Sequence, residues 1–155
     1  MPKWPSTKKT PTYSFPPDTR KYILNPIKDA TKQWAKVTYF KFTRTTTYDE
    51  TDIKISFQFK DHGDWEPFDG PLGISAHASA PTEGRLNFNG DKRWINGVAP
   101  DEFDLETVEM HELEHILGFG HNSEADALMY PNIPPGIRKK LGQDDIEGIK
   151  ALYQT

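Results

Sequence analysis

His111-Glu112-Leu113-Glu114-His115-Ile116-Leu117-Gly118-Phe119-Gly120-His121 is the stretch on which the reading of this chain turns. Histidines at i and i+4 lie one turn apart on one helix face, so both imidazoles reach a single ion. Glu112 adjoins His111 on the same side, where a water on that ion would sit. Gly118 ends the helix and lets the chain turn back, which returns His121 as a third ligand. Three protein ligands leave one tetrahedral position open, the pattern of a catalytic zinc. Such a zinc lowers the pKa of its water toward ~7 and polarises a carbonyl. Glu112 is then placed to take the proton of the zinc-bound water and pass it to a leaving amine. Three of the chain's five histidines fall within these eleven residues, which argues against an incidental arrangement on a solvated helix.

Composition agrees with this ligand set. The 155 residues contain no cysteine, so thiol nucleophiles, disulfides and Cys-ligated zinc are excluded, and any metal must be held by His, Asp or Glu. The net charge of −4 argues against a nucleic-acid partner. No run of 18 apolar residues spans a membrane. The length suits a single domain over residues 1–155, with no signal peptide at Met1-Pro2-Lys3-Trp4.

Along the chain, the first 17 residues carry five prolines and read as extended, with an arm over residues 1–11 and Tyr13-Ser14-Phe15 as a short edge strand. Asn25-Pro26 reads as a helix N-cap followed by Pro at the first helical position, with Ile27, Ala30, Trp34 and Ala35 recurring at helical spacing. Tyr22-Ile23-Leu24 offers an earlier turn. Thr38 to Thr43 alternates and is β-prone. In the strand over 52–59, Ile53, Ile55, Phe57 and Phe59 share one face. A loop over 60–73 follows, then strands at Ile74 to Ala78 and Arg85 to Phe88. Helices are expected from about Leu105 to Leu117 and from Gln143 to Tyr153. Strands followed by helices place the chain in the α+β class.

HExxHxxGxxH with a later methionine is similar to the metzincin signature. Met129, in Ala127-Leu128-Met129-Tyr130-Pro131, stands eight residues after His121. That block resembles the matrixin (matrix metalloproteinase) branch, as does Asp69-Gly70-Pro71-Leu72-Gly73-Ile74-Ser75-Ala76-His77-Ala78. Asp61-His62-Gly63-Asp64 with Glu66-Pro67-Phe68 is most similar to plant matrixins, and Leu141-Gly142-Gln143-Asp144-Asp145-Ile146-Glu147-Gly148-Ile149 matches the family's last helix. The resemblance implies a twisted, five-stranded, mostly parallel sheet with three helices, and a zinc endopeptidase acting on extended protein or peptide substrates. It implies a secreted or cell-surface, monomeric catalytic domain that hydroxamate-type and proteinaceous metalloprotease inhibitors would bind. Ile74, Ser75 and Ala76 would pair with substrate backbone. Pro131, Asn132 and Ile133 would wall the pocket for the side chain after the scissile bond, and Thr107 would set its depth and leave it roomy. Met129 would pack beneath the metal without ligating it. Of Asp144 and Asp145, one would receive an N-terminal ammonium and the other support the methionine turn, although both also suit a first helical turn as dipole complements.

The resemblance further implies a second, structural zinc on His62, Asp64 and His77, but the fourth position is Asn87 rather than His. Three readings stay open: a three-ligand zinc completed by water or Asn87, an empty site with both histidines hydrogen-bonded to Asp64, or another ion. A calcium loop survives as Asp69 and the carbonyls of Gly70, Leu72 and Ile74. Its two other carboxylates fall on Asn89 and Lys92, so calcium is doubtful and Lys92 is expected to stand in as the cation paired with Asp69. Glu114 stands where the family has Gly and is expected to point to solvent, while Glu109 and Met110 replace small residues. Alternatives are a catalytically impaired binding module and another metzincin branch such as the astacins, whose usual disulfides this chain lacks. Without cysteine the chain cannot carry the family's pro-segment switch and reads as the active form.

Overall fold

The computed structural model describes residues 1–154. Its sheet is built from β1 (Thr12–Ser14), β2 (Thr43–Arg44), β3 (Ile53–Gln58), β4 (Ala76–Ala78) and β5 (Arg85–Asn89), in the order β2-β1-β3-β5-β4. All neighbours are parallel except β4, which runs antiparallel to β5 with His77 opposite Asn87. A separate two-residue pair joins β6 (Trp94–Ile95) to β7 (Phe103–Asp104). The helices are α1 (Leu24–Val37), α2 (Leu105–Ile116) and α3 (Gln143–Tyr153). This is the α+β arrangement expected, with five strands in the main sheet and three helices.

Several local expectations change. β1 is not an edge strand: it lies between β2 and β3. Asn25 does not cap α1, which runs on from a 3₁₀ turn at Lys21–Ile23 and begins at Leu24 without a side-chain cap. Pro26 still falls in the first turn, where its missing N–H leaves nothing unpaired. The β-prone run Thr38–Thr43 shrinks to Thr43–Arg44, because Thr38 closes the helix by donating to Trp34 O and Phe40 turns fully into the core. On β3, Ile53 and Ile55 are buried but Phe59 is 57% exposed, since the strand ends at Gln58. The strand expected from Ile74 starts only at Ala76.

α1 packs on α2, and α2 lies against β4 and β5. Trp34 of α1 is buried and donates its indole N–H to Met110 O at 3.1 Å. Residues 1–11 form no strand or helix, yet the arm is docked. Trp4 donates Nε1–H to Ile116 O at 2.9 Å, and Tyr153 Oη donates to Leu117 O at 2.6 Å. These two bonds satisfy carbonyls that the end of α2 would otherwise leave unpaired. Gly118 follows at φ +110°, with Pro2 O so close that a Cβ would stand 2.5 Å from it, so only glycine fits the turn.

Candidate metal centre and cleft

Asp104 starts α2 by accepting the Thr107 N–H, and the helix then presents His111, Glu112 and His115 on one side. Each helical histidine is oriented by its other nitrogen. His111 Nδ1–H donates to Leu128 O at 2.8 Å, and His115 Nδ1–H donates to Phe119 O at 2.7 Å. A carbonyl only accepts, so both Nε2 atoms carry lone pairs. The turn after Gly118 brings His121 Nε2 to 3.2 Å from His115 Nε2. Burial lowers His115, and lowers His111 to about 4, so neither ring is protonated near neutrality. Neutral imidazoles aiming lone pairs at one point repel unless a cation stands between them. Ligands 2.0–2.1 Å from a tetrahedral zinc stand roughly 3.3 Å apart, close to the observed spacing. The triad therefore fits a metal ion.

Glu112 is buried beside the triad, and Oε2 has no hydrogen-bond partner among the described residues. Burial, with the charge of Glu66 behind it, pushes the carboxyl up to about 8. A divalent cation next to it would pull that value down. Met129 is buried, and its carbonyl accepts the Asn122 N–H at 2.7 Å. Asp144 accepts from Asn122 Nδ2 at 2.8 Å, which ties α3 to the turn following His121. Asp145 accepts the Gly142 N–H, and Met1 at the chain start is exposed.

His111, Glu112, His115 and His121 open into a cleft of about 900 Å³. One rim is Ile74, Ser75 and Ala76, and the other is Pro131, Asn132 and Ile133. Ile74 and Ser75 precede β4 rather than belonging to it. β4 ends the sheet order, so its outer edge is unpaired among the described residues. Thr107 does not line the cleft. It is fully buried, its hydroxyl bonded to Asp104 and to the Lys139 N–H, while Val108 reaches the cleft instead.

A second convergence lies on the loop before β4. His62 Nε2 is 2.9 Å from Asp64 Oδ2 and 3.2 Å from His77 Nε2, and His77 Nε2 is 3.5 Å from Asp64 Oδ2. His62 Nδ1–H donates to Lys60 O, and Glu66 Oε2 sits 2.8 Å from His77 Nδ1. The Nε2 lone pairs thus face each other and a carboxylate oxygen, which again fits a cation. Asn87 does not face this point with its oxygen: Nδ2 donates to Asp64 Oδ2 and Oδ1 accepts from Ser56 Oγ.

Asp69, Gly70, Leu72 and Ile74 form the loop expected to hold calcium. Asn89 fills it from inside: its Nδ2 donates to Gly70 O at 2.8 Å and Ile74 O at 3.0 Å. Lys92 feels the charge of Asp69 but closes no ion pair with it, lying instead 4.9 Å from the Phe103 ring. A Cβ at Gly73 would stand 1.5 Å from Asp69 Oδ1, so any larger residue would have to displace that side chain.

Glu114 overturns its expectation: it is only 1% exposed, and burial with the charges of Asp145 and Asp144 pushes it up to about 9. Glu109 is wholly buried, and neither oxygen finds a partner among the described residues. Burial raises its carboxyl as well. A carboxyl raised on folding holds a proton that the unfolded chain releases above its ordinary value. Stability therefore falls as pH climbs from that value toward the folded one. Glu114→Gln removes this penalty. It is expected to raise Tm by roughly 5 °C at pH 8, with no gain at pH 4, by thermal melts of both proteins. A wild-type Tm that rises from pH 5 to 8 in step with the variant would refute it.

A histidine triad with a buried glutamate opening into one cleft is the HExxH arrangement that zinc peptidases share. The chain matches the matrixin family over residues 3–154. It is 44% identical to "Metalloendoproteinase 1" of Glycine max, over 99% of this chain and 53% of that protein. It is 43% identical to "Metalloendoproteinase 5-MMP" of Arabidopsis thaliana, over 98% and 46%, and 40% identical to "Neutrophil collagenase" of Homo sapiens, over 98% and 33%. The chain thus spans about half the length of the plant relatives it matches. It belongs to the matrixin family, whose reaction class is zinc-dependent endopeptidase.

Proposed function

We propose that residues 1–155 act as one catalytic domain that hydrolyses internal peptide bonds in extended protein substrates. The observation that carries this is the convergence of the His111, His115 and His121 imidazoles beside buried Glu112, at the floor of a cleft with an unpaired strand along its rim. His111, His115 and His121 would hold zinc, which when bound would supply Lewis acidity to a water and to the scissile carbonyl. The substrate backbone pairs with Ile74, Ser75 and Ala76, extending the sheet by a strand. Pro131, Asn132 and Ile133 receive the side chain that follows the scissile bond. Glu112 accepts a proton as the water oxygen bonds to the carbonyl carbon. It delivers that proton to the amide nitrogen as the C–N bond breaks. Met129 packs under the metal, and Asp144 holds the turn that carries His121. The domain works as a monomer outside the cell, and hydroxamates or proteinaceous inhibitors block it by occupying the open ligand position.

His62, Asp64 and His77 hold a second zinc. Their mutual spacing of 2.9–3.5 Å supports this, and water completes the set because Asn87 turns its oxygen away. The Gly70–Ile74 loop is held without calcium, because Asn89 donates to two of the carbonyls and supplies no carboxylate. Added calcium is therefore expected to change neither activity nor Tm. Asn89→Asp faces those carbonyls with a carboxylate, and its Tm should fall and recover when calcium is added. A wild-type Tm that drops by several degrees in a calcium-selective chelator would refute this assignment.

Cleavage of an internally quenched peptide by the zinc-loaded chain tests the activity. Zinc binding without cleavage would leave a binding module.

A further inference from the structure

The pocket wall has no helix or strand of its own. Residues 131–141 run as an irregular segment between the methionine turn and α3. Such a segment keeps a fixed shape only if its polar groups are anchored, and here the anchors gather at Arg138 and Lys139. Arg138 Nε and Nη2 donate to the two oxygens of Asp104 at 2.8 and 2.7 Å, a bidentate fork, and Nη2 also reaches Asn96 Oδ1 at 2.6 Å. Asp104 is fully buried and also accepts from Gly97 N–H, Thr107 N–H and Thr107 Oγ1. Lys139 N–H donates to Thr107 Oγ1, and Lys139 Nζ donates to Ala125 O and Ala127 O. The carboxylate that starts the metal-bearing helix is therefore the same one that fastens the pocket wall.

We propose that Arg138 is a specificity-determining positioning residue: its fork onto Asp104 sets how far Pro131–Ile133 stands from α2, and so which side chain fits after the scissile bond. Arg138 does not line the cleft and is not among the metal-binding histidines. It acts through the wall, whose inner residue Ile133 is only 6% exposed. A lysine in its place keeps the charge but cannot make two parallel bonds. The pocket then loses its fixed width while the catalytic residues stay in place. This rests on the peptidase reading above.

The test uses zinc-loaded wild type, Arg138→Lys and Arg138→Ala on peptides differing only in the residue after the scissile bond, from alanine through leucine to phenylalanine. Wild type should show a preference along the series. In Arg138→Ala the preference, expressed as a ratio of kcat/KM values, should change by about tenfold, mainly through KM. The kcat on the alanine peptide should stay within about threefold. Arg138→Lys should restore stability more than selectivity. A uniform loss across the series, or one that follows Tm alone, marks a purely structural residue and overturns the proposal. So does unchanged selectivity in Arg138→Lys, which decides the matter alone should the alanine variant not fold. Failure of wild type to cleave any peptide refutes the peptidase reading itself, a different result from a change in selectivity.

Discussion

Glu112→Ala is expected to lower kcat/KM on a quenched peptide by about three to four orders of magnitude while zinc content stays at the wild-type value. The one other carboxylate lining the cleft among the described residues, Asp69, sits on the loop before β4 rather than on α2 beside the triad. Glu109 and Glu114 are buried and do not line the cleft, and Glu66 lies 2.8 Å from His77 Nδ1. The ligands keep their orientation because His111 and His115 are fixed by Leu128 O and Phe119 O, not by Glu112. Stability should not fall, since a buried carboxyl with an unpartnered oxygen is removed. Cleavage at near the wild-type rate would mean that another group handles the proton, and the assignment of Glu112 would fall.

Removing the metals should have the other large effect. Phenanthroline is expected to abolish cleavage completely, and added zinc to restore it. Plasma mass spectrometry should find two zinc ions per chain in wild type, and one in His77→Ala. That variant should still cleave peptide but melt at lower temperature, because His62 Nε2 and Asp64 then face each other without the ion that joins them to β4. One zinc per wild-type chain would exclude the second site.

The metal-bearing helix was legible because its chemistry is local: spacing alone puts His111 and His115 on one face and Gly118 at the end. The ends of Gln143–Tyr153 were equally plain. Burial along α2 was not. Ten of its twelve residues are buried, so an ordinary division into wet and dry faces does not apply, and Glu114 was misplaced. β1 reads locally as an edge because its neighbours β2 and β3 arrive about 30 and 40 residues later, by crossovers that no local pattern records. β6 and β7 are two residues each, too short for a period to show. In sequence Asn89 reads as a poor cation ligand, but an amide also donates, and donation is what it does in this loop.

The unpaired outer edge of β4 carries a cost in solution. An open strand edge invites pairing with any extended chain, including an unfolded copy of the same protein. Proteins usually blunt such an edge with lysine, proline or a bulge, and here each of those would also repel substrate. Ala76-His77-Ala78 offers only three residues, and this brevity is the protection compatible with function. Under the proposed function, an extended chain docked there would lie along the cleft that holds the histidines, so a stray partner would be cut rather than accumulate. In concentrated preparations the expected failure is self-digestion rather than fibre growth.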